Sequence, residues 1–421
     1  MNQENRWLLP AGIDELLPEA AWATEALRRR VLDLFRSFGY ELVVPPMVEY
    51  VESLLIHHGD DLDLSTLKVI DQLTGRLMGI RADMTPQMAR IDAHSLGSAE
   101  PTRLCYLGTV LHAVPGGFAG SRAPMQVGAE LFGHAGIESD REILSLMLEM
   151  LSVVGLKEVW LDLGHVGIFR ALMAQAQLDA DDEAEFFALL QRKAMPDIQA
   201  FLAARALDAE LSAMLLALAG LHGEGLETLD RARDVLANAG EAVRLALDSL
   251  GELARQVMAG TTGVHLHMDL AELRGYHYHT GMVFAAYVPG HREAIVRGGR
   301  YDGIGEAFGR ARPATGFSAD VRALIDLMHA EALVSSQLQT YLAPVLDADE
   351  PGFAELQALV RRLRAEGQRV IQALPCDEAS GRALGECAQA MGSSMSPEVS
   401  HTHCIEPDMT HGSEFWKIRE I

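Results

Sequence analysis

Directly after Pro18-Glu19, apolar residues recur at helical spacing: Trp22, Leu27, Val31, Leu34, Phe35 and Phe38, with Arg28, Arg29 and Arg30 between them. The spacing predicts a helix opened by proline and stopped by Gly39. Glu41 to Val44 reads as a strand ended by Pro45-Pro46, since proline cannot continue a central ladder. Leu67 to Asp71 and Arg76 to Arg81 flank Thr74-Gly75 as a hairpin. Thr85-Pro86 fits an N-cap followed by a first-turn proline. Strand patterns cover Leu104 to Ala113 and Met125 to Phe132, separated by a loop rich in Gly and Pro. Ser139 to Val154 reads as a helix stopped by Gly155, and Lys157 to Leu163 as a strand.

From about Phe169 to Ala259 Ala and Leu dominate and strand signals vanish, which predicts an all-helical insertion at about 169–260. Val264 to Leu270, His277 to Val288 and Glu293 to Arg297 resume strand patterns, and Arg322 to Ala332 closes with a helix. Tyr341 to Val345, Phe353 to Glu366 and Gln368 to Leu374 give strand, helix and strand, a βαβ unit. Periodicity then fades and Ser, Thr, His and Pro accumulate, which predicts a disordered tail over 391–421. The expected class is α+β, a mostly antiparallel sheet flanked by helices. The expected domains are 1–330 and a small α/β module at 338–390.

Composition narrows the function classes. Hydrophobic residues make up 49% and charged residues 22% of the 421, so wholesale disorder is excluded. The net charge of −24 opposes a phosphate backbone at long range. Cys105, Cys376, Cys387 and Cys404 form no C-x-x-C pair, which reads as a reduced, cytoplasmic protein. No run of about 18 apolar residues predicts a membrane span, and Met1 to Pro10 lack the apolar core of a signal peptide.

Alternation along Met125 to Phe132 places Gln126, Gly128 and Glu130 on one face and Met125, Val127, Ala129 and Leu131 on the other. The first face offers an amide, a bare backbone and a carboxylate, with about 7 Å between successive groups. That suits a small polar ligand with a cationic group; a face turned to solvent is the competing reading. Arg81-Ala82-Asp83-Met84-Thr85 adds a carboxylate and a hydroxyl at a strand-to-helix junction. Arg274 to Gly281 adds an arginine fork, tyrosines and histidines. His265-x-His267 and His277-x-His279 invite a metal reading, but no Cys, Asp or Glu completes a recognisable ligand spacing, so no metal is expected. Gly298 to Gly303 is a glycine-rich turn that matches neither phosphate-binding glycine motif, and no nucleotide cofactor is expected.

In this order the segments resemble class II aminoacyl-tRNA synthetases over roughly residues 6 to 330. Pro46 resembles the dimer-interface motif. Val110 to Gly133, ending Gln126-Val127-Gly128-Ala129-Glu130-Leu131-Phe132-Gly133, resembles the second motif of histidyl-tRNA synthetase. Arg274-Gly275 with Tyr278, and Gly298 to Gly303, resemble the two histidine signatures of that enzyme. The resemblance implies histidine contacts. Asp83 and Glu130 would hold the amino acid, Thr85 and Gln126 would add polar contacts, Arg274 would face its carboxylate, and Tyr278 and Tyr301 would line the pocket.

The departures redirect the function. The arginine that clamps the ATP α-phosphate aligns with His112 and its companion glutamate with Val114; Arg122 survives in the loop. In the third motif Gly316-Phe317 is kept, but the arginine falls on Ala323 and the glutamate before it on Arg322. Two lost guanidinium forks remove the main stabilisers of adenylate formation. Residues 340–421 carry 7 basic and 13 acidic side chains, a poor anticodon binder. The chain therefore resembles the regulatory subunits of ATP phosphoribosyltransferase, the first step of histidine biosynthesis. That resemblance implies a non-catalytic, histidine-binding dimer. It implies assembly with a short catalytic subunit into a hetero-octamer, support of that subunit's activity and histidine feedback, with no tRNA and no membrane. An active histidyl-tRNA synthetase and a free-standing histidine-binding protein are the alternatives.

Overall fold

A computed structural model describes residues 7–55, 60–115, 121–205, 207–260, 262–273, 275–276, 278–328, 340–372, 402–408 and 415–420. The chain forms two compact units, Met1–His329 and Ala330–Ile421. In chain order the strands of the first are β1 (Glu41–Leu42), β2 (Val48–Tyr50), β3 (Leu67–Ile70), β4 (Leu77–Ile80), β5 (Thr102–Thr109), β6 (Met125–Phe132), β7 (Val159–His165), β8 (His222–Glu224), β9 (Val264–Asp269), β10 (Met282–Tyr287), β11 (Val296–Arg300) and β12 (Ala314–Asp320).

Nine of these form one sheet in the order β1-β5-β6-β12-β11-β10-β7-β9-β8. Only the β1–β5 and β7–β9 pairs are parallel. β2, β4 and β3 form a separate small sheet, with β3 and β4 as the expected hairpin. The fold is α+β, as the sequence implies.

One face of the large sheet is dry. Val127, Ala129 and Leu131 of β6 are buried, and Phe317 of β12 meets Phe35 of the Pro18–Ser37 helix edge-on, 6.0 Å between ring centres. The Ile137–Val154 helix packs on the same face, against β6 and β12. Gly155 ends it at φ +93°, a left-handed conformation open to glycine at little cost. The other face carries the alternate residues, including Gln126, Gly128 and Glu130.

Several expectations change. The 169–260 insertion is not all helical. Its helices enclose β8, a three-residue strand that pairs with β9 at the sheet edge. His222-Gly223-Glu224 is too short to show alternation, so only its neighbour reveals it. The strand expected over His277 to Val288 is limited to Met282–Tyr287, and His277 lies outside the described residues. Gly298 and Gly299 are not in a turn but in β11, paired with β10 and β12. β12 itself carries no strand signal strong enough to be read from Ala314 to Asp320.

The second unit contains β13 (Thr340–Ala343), a Phe353–Ala365 helix, β14 (Arg369–Gln372), β15 (Thr402–Asp408) and β16 (Phe415–Glu420). β13 and β14 are parallel, as a βαβ unit requires. The disordered tail expected over 391–421 is corrected for two segments: β15 pairs with β13, and β16 with β15. Ile405 is 1% exposed among Tyr341, Leu356 and Val360, and Trp416 Nε1 donates to the Gly352 carbonyl at 3.1 Å. One buried side chain and a ladder suffice for such a strand, so a polar composition conceals it. Residues 338–339, 373–401, 409–414 and 421 of the expected module and tail lie outside the described residues.

Candidate functional site

The site forms where β5, β6 and β12 meet the start of the Thr85–Arg90 helix. Register explains the assembly. Glu130 stands beside Leu104 of β5 and Gly316 of β12, while Tyr106 stands beside Gly128. A Cβ on Gly316 would lie 1.5 Å from Glu130 Oε2, and a Cβ on Gly128 would lie 2.4 Å from the Tyr106 ring. The two glycines thus leave the space in which the carboxylate and the phenol lie over the sheet.

Glu130 is 1% exposed and accepts three hydroxyl hydrogen bonds. Tyr106 and Thr85 donate at 3.1 Å each, and Tyr301 donates to the other oxygen. Asp83 sits alongside. Gln126 Nε2 donates to Asp83 Oδ1 at 2.7 Å, and the Thr85 amide donates to the same oxygen at 3.0 Å. Gln126 Oε1 accepts from the Met84 amide at 2.9 Å, which locks the helix start onto β6.

Burial pushes the Glu130 carboxyl up to about 8; Asp83's charge adds to this, and the hydroxyls of Tyr301, Tyr106 and Thr85 oppose it. The Tyr106 and Tyr301 phenols are held well above their ordinary range, first by burial and next by Glu130's charge. The cluster is therefore acidic, desolvated and without a cation among the described side chains bonded to Glu130. A ligand with a positive group would complete it.

The structure brings Asp83, Thr85, Gln126, Glu130 and Tyr301 into one hydrogen-bonded cluster. Tyr278 stands at its rim, its ring 6.2 Å from that of Tyr301. Arg274 lies outside the described residues. Thr85 is not a cap: Met84 holds the N-cap position without a side-chain hydrogen bond, and Thr85 is the first helical residue. Its hydroxyl is taken by Glu130, a partner that local sequence cannot show.

Sequence reasoning missed Tyr106 and weighed His279 only for a metal. Tyr106 sits in an apolar-looking strand, and only the β5–β6 register aims its hydroxyl at Glu130. His279 is 6% exposed, with its ring 4.1 Å from that of Tyr278, and it covers Gly299. Arg300, between the glycines and Tyr301, is not a ligand contact. It is buried against Asp140 at 2.9 Å and Ser139 at 2.7 Å, and fixes the strand that presents Tyr301.

His112, at one missing clamp, and the nearby Arg122 and Arg322 all make structural contacts. His112 Nε2 donates to the Ala82 carbonyl at 3.0 Å. Arg122 donates to the carbonyls of His112 at 3.0 Å and Ala11 at 3.3 Å. Arg322 pairs with Asp14 at 2.6 Å. The histidines considered for a metal also have partners: His265 meets Glu158 at 2.6 Å and His267 meets Asp162 at 3.1 Å. Among the described residues no group of three His, Cys, Asp or Glu side chains could hold a metal ion. No helix among them is long and apolar enough to cross a membrane.

Comparison with known proteins identifies the family. Residues 12–324 match the histidyl-tRNA synthetase family. A histidyl-tRNA synthetase from Nostoc superposes with a TM-score of 0.74 at 16% identity, over 98% of this chain and 96% of that one. The first unit is thus a class II synthetase of the histidyl type in fold. Residues 342–391 match the ATP phosphoribosyltransferase subunit HisZ C-terminal domain. A regulatory subunit of ATP phosphoribosyltransferase from Thioalkalivibrio sulfidiphilus is 56% identical over 91% of this chain and 95% of its own length. The corresponding protein of Pseudomonas syringae is 52% identical over 91% and 94%. A Bacillus halodurans structure titled ATP phosphoribosyltransferase regulatory subunit/histidyl-tRNA synthetase superposes with a TM-score of 0.77 at 25% identity, covering 93% of this chain and 97% of that one. The chain belongs to the family of ATP phosphoribosyltransferase regulatory subunits.

Proposed function

We propose that this chain binds L-histidine at the Glu130 cluster and carries histidine feedback to a short catalytic subunit of ATP phosphoribosyltransferase in the cytoplasm. The observation that carries the reading is the pairing of an intact acidic amino-acid cluster with the loss of both ATP clamps. Asp83 and Glu130 suit the cationic groups of histidine, Thr85, Gln126, Tyr278 and Tyr301 complete the polar wall, and Arg274 takes the carboxylate. His112 and Ala323 stand where adenylate formation needs guanidinium forks, so the site holds an amino acid without activating it.

Self-association as a dimer, within a hetero-octamer, is part of the same proposal. In support, Leu42 (51%) of β1, Val44 (81%) just after it and Ile70 (69%) of the small sheet are exposed, more apolar surface than solvated sheets need. By linkage, histidine inhibits only if it binds the less active arrangement of the assembly more tightly.

The test mixes the full chain with a short catalytic subunit and follows phosphoribosyl-ATP formation with and without histidine. Activity that requires this chain and falls with histidine is expected. Histidine-dependent ATP–pyrophosphate exchange by the chain alone would instead establish a synthetase, and histidine binding with no effect on any catalytic subunit would leave a free-standing binding protein.

A further inference from the structure

Arg297 lies in the middle of β11, paired in register with Ala285 of β10 and Ser318 of β12. Ser318 in turn faces Gly128 of β6, and Gly128 faces Tyr106. Arg297 therefore stands on the same face and the same row as the floor of the site, two strands from Gly128. The row from Glu130 runs through Gly316 to Gly299, and Arg297 is two residues along β11 from Gly299. At about 4.8 Å between strands and 3.3 Å per residue, the backbones at Glu130 and Arg297 are roughly 12 Å apart. Both residues belong to the same face of the sheet, at a separation that one small zwitterion between two charged side chains would span. The charges of Asp83, Glu130 and, more weakly, Arg297 all act on the Tyr278 phenol, so all three lie within electrostatic reach of that ring.

A guanidinium presents a planar fork of donors that matches a carboxylate, and the chain's net charge of −24 offers many of them. Arg297 is exposed, and it makes no hydrogen bond or ion pair with a described residue. The carboxylates nearest along its face are committed elsewhere. Asp162, beyond Ala285, meets His267 at 3.1 Å. Asp320 accepts from the amides of Met125 at 3.1 Å and Arg322 at 3.0 Å. The guanidinium thus has no partner among the described residues, on a sheet face whose Glu130 end is acidic.

We propose that Arg297 is a second carboxylate anchor of this site: with the ligand's cationic end on Glu130 and Asp83, its carboxylate meets the Arg297 guanidinium. The arrangement selects an α-amino acid with a free carboxylate over the corresponding alcohol or amide. The inference rests on the proposed histidine pocket and adds to it a residue that sequence resemblance does not supply.

Calorimetry on the full chain tests it with two probes, histidine and histidinol, the alcohol that lacks the carboxylate. Arg297→Ala is expected to weaken histidine binding 10- to 100-fold, the usual range for one charge-assisted pair, and histidinol binding less than threefold. Arg297→Lys keeps the charge and is expected to recover part of the histidine affinity. An unchanged melting temperature is expected in both variants, since the side chain has no described partner to lose. Unchanged histidine affinity in Arg297→Ala, or an equal loss for both probes, would overturn the inference. Absence of histidine binding in the unaltered chain would instead overturn the pocket itself.

Discussion

Glu130→Gln separates what the carboxylate costs the fold from what it contributes to the site. In the unfolded chain a glutamate titrates near 4.5, whereas burial pushes Glu130 up to about 8. A raised carboxyl pKa means that the folded state binds the proton more tightly. This group's contribution to folded stability is therefore largest below pH 4.5, falls as pH rises toward 8, and levels off above it. At pH 7 the difference amounts to about 3 kcal/mol, at about 1.4 kcal/mol per pH unit. Glutamine keeps the shape and removes the charge, but its one amide oxygen can accept on only one side of the cluster, and its NH2 group must donate to the hydroxyl on the other, which returns about 1 kcal/mol. A net gain on the order of 2 kcal/mol at pH 7 follows, with histidine binding weakened because the cationic group keeps only Asp83 as a counter-charge. Thermal melting and denaturant unfolding of both proteins between pH 5 and pH 9 measure it. The gap between them must widen from pH 5 to pH 8 and then stay constant. A gap of the same size at every pH, or a variant less stable throughout, would refute the argument that the carboxylate is held in a state the fold disfavours. Stability given up at a binding site is a general pattern, and here it has an identified group.

Other residues carry separate expectations. Asp92 (2% exposed) and Arg312 (8% exposed) form a buried pair at 2.9 Å; Asp92→Ala is expected to cost about 3–5 kcal/mol in denaturant unfolding, by stranding the guanidinium. Gly316→Ala puts a methyl where Glu130 Oε2 lies, so histidine affinity measured by calorimetry is expected to fall more than 10-fold even where the fold survives. His165 caps the Val166–Ala176 helix by accepting from the Gly167 amide, and burial, with Arg300's charge next, pushes its pKa down to about 4. Its lowered pKa costs stability as pH falls from about 6.5 to 4, and His165→Asn, which keeps an acceptor, is expected to flatten the acid limb of the unfolding profile.

Much of the site was legible in the chain because its logic is local. Alternation along Met125 to Phe132 put Gln126 and Glu130 on one face, and the strand-to-helix junction at Asp83 to Thr85 advertised a carboxylate and a hydroxyl. What those groups do was not legible. Thr85 reads as a cap by its position before Pro86, yet its hydroxyl belongs to Glu130, 45 residues away in the chain. Arg300 reads as part of a ligand motif, yet it is spent on Asp140.

Hydrophobic spacing alone determined the long helices, the β3–β4 hairpin, the βαβ start of the second unit and the α+β class, because periodicity records which side of each element is dry. The absence of arginine at His112 and Ala323 was likewise written in the chain, since a missing guanidinium needs no fold to be noticed. Only the tertiary structure decided the strands with little apolar signal: β8, β12 and the two after residue 401, which exist because a neighbour offers a ladder. It also decided which side chains share a site. Tyr106, Glu130 and Arg297 come from three strands, and their meeting depends on register, where a slip of one residue would turn each to the opposite face.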